Sequence, residues 1–162
     1  MDTNNSNSCC MTASTCSPGC CKKTGLLAML VAFVAMMAFD WLFHGVLLKS
    51  VYEQSAALWR PEAERMAMWP YCLVLHLVMA GVFTCLYGSF CGANDGVCPV
   101  KKGVKLGCKV GLLLGLAAAG TYIGMPLTMD IALGWFFGNL LKMIVAGAAI
   151  GMVYKAKFAK QQ

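Results

Sequence analysis

Charge is what this sequence has least of. Only 12% of its 162 residues are Asp, Glu, Lys or Arg, against 59% hydrophobic, whereas a soluble domain carries roughly 25% charged residues. So little polar surface argues against a water-exposed globule and for an integral membrane protein. Period-two alternation is missing from the long apolar runs, which argues against a transmembrane barrel. There is no HExxH or GxSxG motif and no activated nucleophile pair, so enzymatic activity is not expected. The net charge of +6 is not gathered on a basic–aromatic face, so nucleic acid is not an expected partner. Lipid-attachment signals are absent too: Asp2 follows Met1, no apolar lipobox precedes Cys9, and the chain ends in Gln-Gln.

Four apolar runs fill most of the chain, at about 25–48, 71–90, 106–125 and 131–153, each near the ~20 residues that a bilayer core requires. The first is too long for a cleaved signal peptide, contains Asp40 and follows a polar tail, so it is read as a true span. The expected fold is all-α and integral to the membrane, with four transmembrane helices in a domain over 25–155. A Cys-rich tail, 1–24, is expected to be disordered, and a basic tail covers 156–162. Two short interfacial helices are expected over 51–68, the second opening at Arg60-Pro61-Glu62, with Pro and acids suited to a first turn.

Orientation follows from the lysines. Lys22, Lys23, Lys101, Lys102, Lys105, Lys109, Lys155, Lys157 and Lys160 fall on one side of a four-span arrangement. On the other side Lys49, Arg60 and Arg65 are offset by Glu53, Glu62, Glu64 and Asp130. The positive-inside rule then puts both termini and the central loop in the cytoplasm.

Glycine supplies a packing signature. Gly103, Gly107, Gly111 and Gly115 recur every fourth residue, Gly120 and Gly124 extend the row, and the fourth span carries Gly134/Gly138 and Gly147/Gly151. Small residues at this spacing let helix backbones approach closely where lipid supplies no hydrophobic force, so spans three and four are expected to form a Gly-rich hairpin. The alternative for such rows is a glycine-lined pore or a seam between copies of the chain; besides a homo-oligomer, a membrane partner is the other candidate.

The polar residues inside the spans are few and cluster in depth. At ~1.5 Å per helical residue, Asp40, His44, His76, Asn139 and Lys142 lie about 6 to 18 Å from the outer ends. Asp40 and His44 share one helix face, as do Cys72 and His76. Ionisable groups at such depth face protein or water and are functional by default. This layer is a candidate site for a proton, a solute or a metal ion, and equally a polar staple that fixes helix packing.

The ten cysteines add a second candidate. Cys9, Cys10, Cys16, Cys20, Cys21, Cys91 and Cys98 fall on the cytoplasmic side of this topology and Cys72 near the outside. Free thiols in a reducing compartment suit Cu(I) or Zn²⁺ better than a disulfide framework. Imidazole and carboxylate would suit Zn²⁺. Met66, Met68, Met125 and Met129 in the outer segments would complete a thioether-to-thiol route for copper.

The stretch FDWLFHGVLLKSVYEQSAALWRPEAERM, with W…LHLVMAGVFTCLYG after it, resembles small uncharacterised bacterial four-span inner-membrane proteins over roughly residues 26–154. The resemblance implies a fold and an inner-membrane location, with no activity to carry over. Four spans with cytoplasmic thiols are also similar to mercuric-ion transport proteins, but the first span here lacks the vicinal cysteine pair those proteins use. The sequence leaves two functional classes in competition. One is a small permease or soft-metal-handling protein; the other is an accessory membrane subunit whose polar layer only fixes packing.

Overall fold

The computed structural model describes residues 18–90 and 97–159. Among these residues every regular element is a helix, and no strand is present. Helix α1 (Pro18–Leu42) runs into a π turn (Phe43–Leu47); α2 (Lys49–Gln54), a 3-10 turn (Ala56–Leu58) and α3 (Glu62–Ala67) follow. Then come α4 (Trp69–Phe90), α5 (Pro99–Gly120), a 3-10 turn (Thr121–Ile123) and α6 (Met129–Ala159). Four segments, Lys23–Leu47, Trp69–Phe90, Pro99–Ile123 and Met129–Lys157, are long and apolar enough to cross a membrane.

The helices extend beyond the apolar runs at the lysine-rich end. Pro18 opens α1, where a missing N–H is harmless, so residues 18–24, expected in the disordered tail, are helical. Likewise α5 starts at Pro99 rather than near 106, with Cys98 as its N-cap residue. Lys101, Lys102, Lys105 and Lys109 are good helix formers whose stems can lie along apolar surface. At its other end α6 runs on through residues assigned to the basic tail. Where two short helices are expected over 51–68, the connection holds α2, a 3-10 turn and α3, and α3 carries Glu62 and Glu64 in its first turn.

α1 packs between α4 and α6, and α5 lies against the far side of α6. Ala28, Ala32 and Met36 form the buried stripe of α1 against Ala80, Phe83 and Tyr87 of α4 and Met143, Ala146 and Ile150 of α6. Four-residue spacing keeps that stripe on one face. α4 meets α5 near the lysine-rich end, where the Tyr87 hydroxyl donates to the Pro99 carbonyl at 2.9 Å. The outside of the bundle is apolar: Leu75 and Leu113 are each 68% exposed, an arrangement that fits lipid and not water.

The seam between α5 and α6 is built from glycine. A Cβ added at Gly103 or Gly107 would collide with the backbone of Gly147 or Met143, and one at Gly111 or Gly115 would lie 2.8 or 2.7 Å from the carbonyl of Leu140 or Phe136. Residue numbers rise on α5 as they fall on α6, so the helices are antiparallel. From α6, Gly147 meets Gly103 and Gly151 meets Pro99 and Val100. Gly134 and Gly138 do otherwise. They receive Leu48, just after the π turn, and Phe43 at its start, at 3.0 and 2.6 Å from an added Cβ. α6 therefore spends one pair of glycines on α5 and another on the π turn. Gly120 and Gly124 have open space around them, because α5 ends at Gly120 and the chain turns away.

Candidate functional site

Asp40 is the centre of the polar layer. It projects from α1 just before the π turn. Its Oδ2 lies 2.7 Å from Nε2 of His76 on α4 and accepts from Nζ of Lys142 on α6 at 3.1 Å. The three buried helices are thus tied at one oxygen. Oδ1 points toward Nε2 of His44, 3.9 Å away, which is too far for a hydrogen bond. This Oδ1 is buried and has no partner.

Both ring nitrogens of His76 have partners. Its Nδ1 is 2.8 Å from the carbonyl of Cys72 and 3.5 Å from the Cys72 thiol, and its Nε2 is 2.7 Å from Asp40 Oδ2. A carbonyl and a carboxylate both accept, so the ring can serve them one at a time as a neutral imidazole or together as an imidazolium.

A second chain of bonds leads outward from His44. Its Nδ1 is 2.6 Å from the Tyr52 hydroxyl, which accepts from Nε1 of Trp135 at 2.8 Å. Indole only donates, so the phenol is free to donate its own hydrogen to His44, leaving the imidazole hydrogen on Nε2, the nitrogen turned to Asp40. Burial holds the Tyr52 phenol above its ordinary value of 10.0, against the lowering effect of the Trp135 bond, and the charge of Asp40 adds to the rise. Trp59 stacks edge-on to Tyr52 with centroids 5.2 Å apart, and its Nε1 donates to Ser55 Oγ at 3.1 Å.

The π turn makes this outward chain accessible. A wide turn of this kind is often found at functional sites, and here it closes with Leu48 N–H donating to Phe43 O at 2.9 Å. Phe43 lies on Gly138, while His44, one residue on, lies between Asp40 and Tyr52. The His44 side chain is 36% exposed against 13% for His76 and 9% for Lys142, so access falls stepwise toward the interior. A cleft of about 530 Å³ opens over His44, with Lys49, Tyr52, Glu53, Arg60 and Arg65 on its walls. Two wall charges have carboxylate neighbours, Lys49–Glu53 at 3.8 Å and Arg60–Glu64 at 3.4 Å.

Of the expected layer, Asp40, His44, His76 and Lys142 come together. Asn139 does not join them; its amide donates to the Trp135 carbonyl on its own helix at 2.8 Å. Tyr52 and Trp135 were not expected in the site. Tyr52 reads as an interfacial aromatic, and only the fold of α2 back over the π turn brings it to His44.

The metal reading fares differently. Among the described residues no group of three or more His, Cys, Asp or Glu is placed to hold a metal ion. At Asp40 the ammonium of Lys142 stands where a cation would bind. Cys72 Sγ approaches His76 at Nδ1, 3.5 Å, the ring nitrogen turned away from Asp40. Cys98 stands alone at the start of α5. Cys9, Cys10, Cys16 and Cys91 lie outside the described residues, and Cys20 and Cys21 belong to α1 with side chains outside the description. Compared with protein-family models, curated proteins and solved structures, the chain matches none.

Proposed function

We propose that this chain is an integral membrane protein, inserted with both termini and the central loop in the cytoplasm, and that it works as a small proton-linked permease. The lysines gathered at one end of the helices support that orientation. The observation that carries the function is the buried Asp40 carboxylate. Its Oδ2 lies 2.7 Å from His76 Nε2 and 3.1 Å from Lys142 Nζ, and its Oδ1 has no partner beside a partly exposed histidine under an outward cleft. A staple needs no unpaired oxygen. A proton site does, because a proton or the donor group of a solute must have an atom to bind.

In this reading a proton from the cleft enters at the Tyr52 hydroxyl, which passes its own hydrogen to His44 Nδ1, and His44 then gives its Nε2 hydrogen to Asp40 Oδ1; Trp135 holds the phenol, and Asp40 and His76 store the proton. Lys142 keeps the carboxylate from being an isolated charge at membrane depth. The Ala28, Ala32, Met36 and Phe83 core toward the cytoplasm is buried and apolar, so inward release would require a second arrangement of α1 against α4 and α6. The soft-metal form of the hypothesis rests on the tail thiols alone, with Cu(I) or Zn²⁺ as their candidate ions, and draws no support from the intramembrane layer.

One observation favours the accessory-subunit reading: the Asp40–His76–Lys142 contacts tie α1, α4 and α6 at a single point, as a structural staple would. The two readings separate in proteoliposomes loaded with a pH-sensitive dye. An imposed membrane potential, or a gradient of a candidate solute, is expected to drive a pH change in vesicles with the native chain and not in vesicles with Asp40→Asn. Native vesicles that behave as empty ones across a panel of small solutes would favour the subunit.

A further inference from the structure

At the opposite end from the Asp40 site, α1 and α6 enclose a second cleft of about 440 Å³, lined by Lys23, Thr24, Leu27, Val153, Ala156 and Lys157. We propose that this cleft binds the headgroup of an anionic phospholipid, phosphate against the two lysines. The inference rests on the reading of α1 and α6 as spans and is independent of the proton site.

Three observations carry it. First, among the described residues the cleft has one sign of charge: Lys23 and Lys157 line it from different helices, with no carboxylate between them on its described walls. Among the described residues the acids are Asp40, Glu53, Glu62, Glu64 and Asp130, none of them in the cleft. Second, Lys157 Nζ is hydrogen-bonded to Thr24 Oγ1, so an ammonium and a hydroxyl from two helices are already held together at the mouth. A phosphate there would meet two cations and a hydroxyl, all able to donate to its oxygens. Third, the remaining wall is apolar, and it continues onto the exposed Leu26, Leu27 and Leu30 of α1, which are 56%, 54% and 46% accessible. A free anion has no use for that surface; acyl chains below a headgroup do. Basic pockets between spans on the cytoplasmic side are where anionic headgroups are recognised.

Native mass spectrometry of the full chain in detergent tests this, with phosphatidylglycerol, phosphatidylcholine and inorganic phosphate titrated separately. The expected result is a saturable phosphatidylglycerol adduct that phosphatidylcholine does not reproduce. The adduct should weaken by about tenfold or more in Lys23→Gln/Lys157→Gln. The control Lys101→Gln/Lys105→Gln removes equal charge from α5 and should leave it unchanged. Helix content and thermal unfolding of each variant establish that it is folded; if the glutamine pair unfolds, Lys23→Arg/Lys157→Arg, which keeps the charge, must bind as the native chain does. Equal binding of the two lipids, or equal loss in the α5 control, would overturn the proposal. So would saturation by phosphate alone, which would make the ligand a free anion. Alkaline extraction of membranes tests the span reading separately: a chain released by it is not integral, whatever lipid it binds.

Discussion

Lys142 and Asp40 are each reasonable only in the presence of the other. Removing one member of a buried pair strands the other, whereas replacing both with groups of similar volume is often neutral. Lys142→Met is therefore expected to lower stability by about 3 kcal/mol or more, and Asp40→Asn/Lys142→Met to recover most of that loss, as read by unfolding in detergent. Tyr52→Phe leaves the Trp135 indole N–H and His44 Nδ1 without their shared partner. It should destabilise by about 1–3 kcal/mol and shift the His44 hydrogen between its ring nitrogens, visible in the 15N spectrum. Much of this site is legible in the sequence, since counting along a helix gives depth and so brings Asp40, His44, His76 and Lys142 to one level. Counting gives depth better than angle. Trp135 and Lys142, at i and i+7, share a face, whereas Asn139 stands at their level and turns its amide back onto its own helix. Tyr52 reaches His44 through the π turn and the fold of α2, and no periodic signal announces either.

At the scale of the element, α6 is the organising helix, because it seats α5 on one pair of glycines and the π turn on another. The small-residue rows are plain in the sequence; their division between two partners is not, because a glycine's spacing says that something approaches closely without saying what. Gly107→Ala forces a methyl onto the α6 backbone and is expected to cost about 1–3 kcal/mol as overpacking. Gly120→Ala, in open space at the end of α5, should be neutral or slightly stabilising in the same unfolding assay. The start of α5 has a chemical consequence as well. The amides of Val100 and then Lys101 pull the Cys98 thiol below its ordinary value of 9.0 against the effect of burial, and the ammoniums of Lys155 and Lys101 assist, although the sulfur closes no capping hydrogen bond. A lowered value keeps the thiolate to lower pH. Alkylation of Cys98 should therefore persist at a pH where that of free cysteine in the same solution has slowed, as peptide mapping after timed labelling would detect.

For the whole molecule, the apolar exterior, the lysine-rich end and the cleft over His44 give the two ends different work. One end is basic and, in the proposal above, holds lipid; the other carries a graded polar path from the cleft to a buried carboxylate. Composition alone makes legible the four helices long and apolar enough to span, because a helix that faces lipid must be apolar on its outside as well as in its core. What the path does depends on whether the proton at Asp40 and His76 exchanges with water outside. The most direct measurement is 15N solid-state NMR of the histidine rings in lipid bilayers as the pH is raised. The account predicts that the His76 and His44 ring signals change together and reversibly, in one coupled step. It also predicts that Asp40→Asn removes that coupled step. His76 signals that stay fixed at every pH at which the bundle is folded would contradict it, and would leave the polar layer as a staple.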